Sequence, residues 1–230
     1  MFQSLLNDIY KSLIAENRYM YIINGFGITL LITVFACLIG VVIGLIIAVI
    51  KVKPKKTWLG SVAEFFANCY LTVIRGTPVV VQLMIIYFVI LVPITDKILV
   101  SIIAFGINSG AYVAEIFRSG ILSVDRGQME AGRSLGLDYG LTMRHIILPQ
   151  ALKNILPALG NELITLLKET SVAGFIGIMD LAKAGDIIIS QTYKPLSPLL
   201  LVAAIYLAVV MLMTWGLGKF ERRLRRSDHR

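Results

Sequence analysis

The sequence predicts an all-α, polytopic integral membrane protein with five transmembrane helices. Of its 230 residues, 57% are hydrophobic and only 16% charged, with a mean hydropathy of +0.80. Soluble domains run nearer half apolar and a quarter charged. Five stretches supply the run of about 20 apolar residues that a helix needs to cross the hydrocarbon core. Lysines and arginines cluster beside these stretches, fifteen on one side of the expected membrane and five on the other.

Residues 1–20, MFQSLLNDIYKSLIAENRYM, lack the basic start, continuous apolar core and small-residue cleavage site of a signal peptide. Leu5, Leu6, Ile9, Leu13 and Ile14 recur at helical spacing, which predicts an amphipathic helix lying at the membrane surface. The first span is expected over about 24–50, stopped by Lys51, Lys53, Lys55 and Lys56. Within it, Gly40 and Gly44 have the spacing that lets helices approach closely. The second span starts after Trp58 and runs to Val92, interrupted at Arg75-Gly76-Thr77-Pro78. The third covers about 97–121, the fourth 154–178 and the fifth 196–219, followed by a basic tail, 220–230. The positive-inside rule places the heavily basic side in the cytosol. That side carries the four lysines above, Arg118, Arg126, Arg133, Arg144, Lys153 and the tail, so the N-terminus is expected outside and the C-terminus inside.

No catalytic constellation is visible. There is no Walker-type loop, the only histidines are His145 and His229, and GFGITL at Gly25 lacks the third glycine of a dinucleotide loop. No metal-ligand spacing exists, and Cys37 and Cys69 lie in apolar stretches where thiols act as small hydrophobes. The net charge of +8 accompanies membrane spans and forms no basic stripe with aromatics, so no nucleic acid partner is expected.

One polar island, 130–149, interrupts the apolar sequence: EAGRSLGLDYGLTMRHIILP. Placed in the cytosol, it reads as a docking element. A helix through it would put Ala131, Leu135 and Tyr139 on one side, with Glu130, Arg133 and Asp138 rimming a partner's groove. Gly136 and Gly140 would break or bend that helix, because interior glycine costs about 1 kcal/mol against Ala. Pro149 disfavours helix in the residue before it.

The island's residues also resemble a known signature. Glu130, Ala131, Gly136, Ile146, Leu148 and Pro149 fall in register with the coupling motif of binding-protein-dependent ABC importer permeases: Glu-Ala-Ala, three residues, Gly, nine residues, Ile-x-Leu-Pro. Only Gly132 departs, standing where the motif has its second Ala. RGTPVVVQLMIIYF after Arg75, SGAYVAEIFRSGI around Glu115 and LPQALKNILPALGNELITLLKETS from Leu148 are similar to the branch serving histidine, arginine, lysine, glutamine or glutamate. The resemblance implies one transmembrane domain over 1–230 with the type I importer permease fold. It implies a coupling loop at 125–149 in which Glu130, Ala131, Gly132, Gly136 and Arg144 meet the ATPase. It also implies a second permease chain, identical or closely homologous, and an extracytoplasmic solute-binding protein. A separate ATP-binding-cassette subunit would bind ATP and Mg, so this chain is expected to hold no cofactor and to be no enzyme. The location implied is the cell inner membrane.

Charged residues inside the spans must face protein or water, since each costs a few kcal/mol at the bilayer centre. On the third span Asn108, Tyr112 and Glu115 form one polar stripe; on the fourth, Asn161, Thr165 and Lys168 form another, with Glu162 and Glu169 adjacent. Glu115 and Glu162 each lie about seven residues from a cytoplasmic end, roughly 10 Å deep, and are expected in one layer of a pocket. Pro78 frees a carbonyl one turn back, so the helix there is expected to break and present backbone groups to substrate. Arg75, Asn108, Glu115, Asn161 and Glu162 are the candidate substrate-binding residues: Arg75 for an α-carboxylate, a glutamate for a cation. Two other readings stay open. Arg75 and a glutamate simply neutralise each other, or the carboxylates are proton or sodium sites of an ion-gradient-driven carrier or channel working without an ATPase. The excess of glutamates leans toward a cationic amino acid.

Overall fold

The computed structural model of the chain describes Tyr10, residues 14–52 and residues 57–225. Most of the expected surface helix in 1–20, Lys53, Lys55 and Lys56, and the end of the basic tail lie outside these residues. The described chain is helical, with no strand: α1 (Tyr19–Val52), α2 (Trp58–Gly76), α3 (Val79–Ile85), α4 (Lys97–Leu122), α5 (Arg126–Ser134), α6 (Tyr139–Thr142), α7 (Leu148–Glu169), α8 (Leu181–Thr192) and α9 (Leu196–Arg225). By length and apolarity α1, α4 and α9 can each cross a membrane, and α2 with the α3 segment does so only as a pair bent by 112°. The bend falls where the sequence predicts an interruption. Arg75 therefore stands in the last turn of α2 instead of mid-span. α7, at 22 residues, is long enough. It carries Lys153, Glu162, Lys168 and Glu169, however, and does not count as an apolar span by composition.

The most intimate packing is between α1 and α4, and it is built from small residues. α1 buries Thr29, Ile32, Thr33, Ala36, Gly40, Gly44 and Ala48, one stripe of a 3.6-period helix. A Cβ on Gly40 would lie 2.9 Å from Ser109 Oγ, and one on Gly44 2.5 Å from Val113 Cγ1. The fit is reciprocal: a Cβ on Gly106 would meet Ile39 Cγ2 at 2.7 Å, and one on Gly110 would meet Ile43 Cγ2 at 2.8 Å. Each helix thus lends the other two glycines four residues apart, and van der Waals contact holds the seam. Partners 39–106, 43–110 and 44–113 advance together, so α1 and α4 run parallel, and the chain must return once between them through the bent α2–α3 pair. α7 runs antiparallel to α4: Asn154 donates to Ser123 Oγ at 2.9 Å, while eight residues on from Asn154, Glu162 is met by Ser109.

Between α7 and α9 lies an element the sequence reading did not foresee. Gly177, at φ 77°, turns the chain, and Asp180 caps α8 by accepting from the Ala182 and Lys183 amides. α8 packs Leu181, Ala184 and Ile188 against the first turns of α1. The Leu181 amide donates to Thr29 Oγ1 at 3.0 Å.

Gly44 and Gly27 give a matched pair of tests. Gly44→Ala is expected to destabilise, because its methyl enters Val113 and overpacking of this kind costs typically 1–3 kcal/mol. A Cβ at Gly27 meets nothing within 4 Å, so Gly27→Ala is expected to be neutral or slightly stabilising through helix propensity. Thermal unfolding of the detergent-solubilised protein, followed by size-exclusion fluorescence, measures both. Equal midpoints for the two variants would remove the seam from the account.

Candidate functional site: intramembrane polar groups and a strapped loop

The polar stripe of α4 faces the broken helix. Asn108, Tyr112 and Glu115 all find partners on the α2–α3 pair: Asn108 Nδ2 donates to Gln82 Oε1 at 2.9 Å, the Arg75 guanidinium lies 5.7 Å from the Tyr112 ring centroid, and Arg75 Nη1 sits 3.8 Å from Glu115 Oε2. The closer partner of Glu115 is Arg118 on its own helix, with Nε to Oε2 at 3.0 Å and Nη2 to Oε1 at 2.5 Å. This bidentate pair at i, i+3 supplies strong charge-assisted bonds and leaves Arg75 a looser contact. Arg75 keeps donors to spare, and its side chain is 43% exposed.

Gln82 carries a role the sequence reading missed. Pro78 has no amide hydrogen, so the Ile74 carbonyl four residues back loses its helical donor. Gln82 Nε2 supplies one at 2.7 Å, and its second hydrogen is shared between Thr77 Oγ1 at 2.7 Å and Thr77 O at 3.0 Å. The carbonyl expected to face substrate is therefore tied up inside the protein. Orphan carbonyls in hydrocarbon cost several kcal/mol, and a buried amide side chain reached from the next turn is the local remedy. Asn108, 2% exposed, completes this bracket from α4.

Glu162 belongs to a different group. Ser109 Oγ donates to its Oε1 at 2.8 Å, and it forms no ion pair among the described residues. Ser109 lies six residues from Glu115 on α4, roughly 9 Å along the axis. The two carboxylates thus occupy different levels of the bundle instead of one layer. Asn161 Nδ2 donates only to the Pro157 carbonyl of its own helix, at 3.3 Å. With Thr165 and Lys168 it forms an exposed stripe turned away from α4. The five candidate residues therefore form three clusters and an outward face: Arg75 with Glu115, Asn108 with Gln82, Glu162 with Ser109, and Asn161 apart.

At the other candidate site, the loop after α4, the helix starts earlier and stops sooner than the sequence suggested. Asp125 caps α5 by accepting from the Gly127 amide at 2.6 Å. The helix ends at Ser134 because Gly136 takes φ 82°. The Leu137 and Gly136 amides then donate back to Gly132 O and Arg133 O at 3.2 and 3.0 Å, a Schellman closure. Ala131 and Leu135 remain exposed, Leu135 by 81%, while Tyr139 leaves their face. Asp138 starts the short α6 by accepting from the Leu141 amide, so Gly140 sits inside a helical turn and breaks nothing.

The two glycines of the loop are needed for different reasons. At Gly136 there is open space, but its left-handed backbone strains any side chain. At Gly132 the backbone is helical, but a Cβ would lie 2.6 Å from Thr142 Cγ2, where α5 crosses α6. Glycine thus stands at 132 because the crossing is too close for a methyl. Glu130, Ala131, Gly136 and Arg144 are exposed; Gly132 is buried. Tyr139 Oη donates to the Val52 carbonyl at 3.2 Å, strapping the loop to the last residue of α1. Burial pushes the Tyr139 phenol above its ordinary value, so it stays a protonated donor at neutral pH.

Comparisons with known proteins bear on the family and the fold. Residues 40–226 match the family described as binding-protein-dependent transport system inner membrane component. The arginine transport system permease protein ArtQ of Bacillus subtilis (strain 168) is 39% identical over 211 residues, covering 90% of this chain and 94% of its own. The glutamine transport system permease protein GlnP of Escherichia coli (strain K12) is 38% identical over 208 residues, covering 89% and 93%. A crystal structure of an amino acid ABC transporter with histidines is 43% identical, superposes with a TM-score of 0.83, and covers 91% of this chain and 97% of that one.

Gln82→Met retains bulk and removes the donors. It is expected to leave the Ile74 and Thr77 carbonyls unsatisfied, at about 1–3 kcal/mol for each. The readout is a lowered unfolding midpoint together with faster hydrogen exchange confined to 73–82. An unchanged exchange pattern would show that the break is held by something else.

Proposed function

This chain belongs to the family of binding-protein-dependent transport system inner membrane components, and from that premise we propose that it imports a polar amino acid, most suitably a basic one. It is the permease subunit of an amino-acid ABC transporter and no enzyme itself; ATP is hydrolysed by a separate subunit. That membership displaces the ion-gradient-driven carrier as the working reading.

The observation that carries the substrate class is Glu162. Glu115 is engaged by Arg118 and Arg75, whereas Glu162 is held by one hydroxyl, with no cation beside it among the described residues. A carboxylate in a span without a counter-ion is stabilised by a cationic ligand. Glu162 receives the substrate's positive group, and Arg75, with donors unused by Glu115, takes a carboxylate. Asn161 and the exposed stripe beside it face the polar path or the second permease chain, and Asn108 and Glu115 position the elements around it. A relative named for arginine transport and a solved homologue described with histidines support a basic substrate, while the relative named for glutamine transport supports a polar neutral one.

The architecture we propose has five crossings, with α2–α3 as the second and α7 as the fourth. α7 is shielded by α4 and α9, so its composition need not be that of a lone span. The N-terminus lies outside, the C-terminus inside, and the solute-binding protein delivers from the outer face. The exposed Glu130–Ala131 edge, Leu135, Gly136 and Arg144 meet the ATPase, while Gly132 sets the loop's shape. ATP and Mg stay on that partner.

Two measurements test this. In the reconstituted transporter, Glu162→Gln is expected to weaken apparent affinity for arginine or histidine by roughly ten- to a hundredfold, the worth of a charge-assisted hydrogen bond, with a smaller effect on glutamine. Unchanged uptake of both classes would move the cation site elsewhere. For orientation, in a background lacking Cys37 and Cys69, Tyr193→Cys is expected to react with an impermeant thiol reagent in intact cells. Leu135→Cys is expected to stay protected. The reverse pattern would invert the topology.

A further inference from the structure

We propose that the loop end of the bundle holds one anionic phospholipid, its headgroup at Lys51 and Arg126 and an acyl chain in the groove between α1, α4 and α7. Two cavities, of ≈ 500 and ≈ 790 Å³, meet there and share Val52, Ile121, Tyr139 and Met143 as a common wall. They differ in chemistry. The smaller is rimmed by Lys51, Arg118, Asp125 and Arg126. The larger is lined by apolar stripes, Leu45, Val49 and Val52 on α1 and Leu148, Leu152 and Ile155 on α7, with Arg144 at its edge. Along α1 it runs roughly 10 Å, at 1.5 Å per residue. Leu45, Val49 and Leu152 remain 47, 43 and 42% exposed, so the groove opens sideways and no described part of the chain closes it.

The charges favour an anion. Arg118 is engaged by Glu115, while Lys51 Nζ donates to the neutral Asn68 Oδ1 at 2.8 Å and, though Glu115 lies within reach of its charge, forms no ion pair among the described residues. Arg126 and Arg144 have no side-chain partner among the described residues. With Arg144 turned to the proposed ATPase edge and Asp125 offsetting one charge, Lys51 and Arg126 leave an excess of one positive charge beside an apolar trough. A soluble anion would answer the charge and leave the trough empty. A neutral lipid would fill the trough and leave the charge unanswered. An amphiphile with a phosphodiester head satisfies both, and basic pockets between membrane helices are known to hold such heads.

The test uses the whole transporter, permease with its ATPase, purified in mild detergent. It is exposed to phosphatidylglycerol carrying a photoreactive acyl chain, and to phosphatidylcholine with the same chains. The phosphatidylglycerol probe is expected to label peptides from 45–52 or 143–155, with phosphatidylcholine labelling them on the order of ten- to thirtyfold less. Lys51→Gln with Arg126→Gln should bring the two lipids level, and Leu152→Trp, which fills the groove, should abolish both. Equal labelling by the two lipids, label outside these segments, or unchanged selectivity in the double variant would overturn the proposal. So would absent label together with Leu152→Cys cross-linking to a second permease chain or to the ATPase, which assigns the groove to subunit packing. If the charge variants fail to fold, the wild-type lipid ratio and labelled peptides decide the matter.

Discussion

The close parallel contact of α1 with α4 sets the geometry on which the other parts depend. Four glycines, Gly40 and Gly44 on one helix and Gly106 and Gly110 on the other, let the two backbones approach until each helix's branched side chains fill the other's gaps. No water-driven hydrophobic gain operates between helices in lipid, so this density of van der Waals contact supplies the cohesion. Once α4 is fixed against α1, its polar stripe can point only at the α2–α3 pair. Its adjoining Ser109 face then points at α7. The positions of Arg75, Gln82 and Glu162 are consequences of that seam.

A second constraint is that a membrane interior leaves no backbone group to solvent. The 112° bend after Gly76 would violate it at Ile74 were Gln82 not one turn beyond the break. In the loop between α4 and α7, outside that interior, helix ends are closed by ordinary capping: Asp125 and Asp138 cap helix starts, the Gly136 turn closes a helix end, and Tyr139 donates to the last carbonyl of α1. Charge follows the rule as well. Glu115 is answered twice over and Glu162 by a hydroxyl alone, the contrast on which the proposed substrate role of Glu162 rests.

Much of this was legible in the chain, and what was not shares one cause. Spacing alone marked Gly40 with Gly44 as a packing site, Arg75 to Pro78 as a break and 130–149 as a polar element between spans. Each is a local pattern with a local mechanism. Gln82 reads as a single polar residue in VVVQLMIIYF, and its task appears only when the bend brings Ile74 within reach. Arg118 stands three residues from Glu115, the spacing of a helical ion pair, and this local partner holds the carboxylate more closely than the distant Arg75. The shared depth assigned to Glu115 and Glu162 failed because counting from helix ends ignores tilt and offset between antiparallel neighbours. α8 was missed because DLAKAGDIIISQT is too short and mixed to declare itself, and its capping aspartate is buried by contacts with α1 far away in sequence.

The loop's attachment bears on how ATP hydrolysis reaches the spans. Pro149 leads from the loop directly into α7, so any movement of the loop acts on that helix through the chain itself. The bond from Tyr139 to Val52 and the crossing at Gly132 add a second route, because α5 and α6 are locked together and α6 is fastened to the end of α1. α1 in turn cannot slide without its glycine seam carrying α4, which bears Glu115 and Ser109. Under the proposed docking of the ATPase, a displacement entering at the exposed Ala131–Leu135 edge reaches Glu162 through α7 that carries it and through α4 that holds it. Coupling between two distant sites requires an element that both can bias. The Ser109–Glu162 hydrogen bond joins α4 to α7 where the two routes meet.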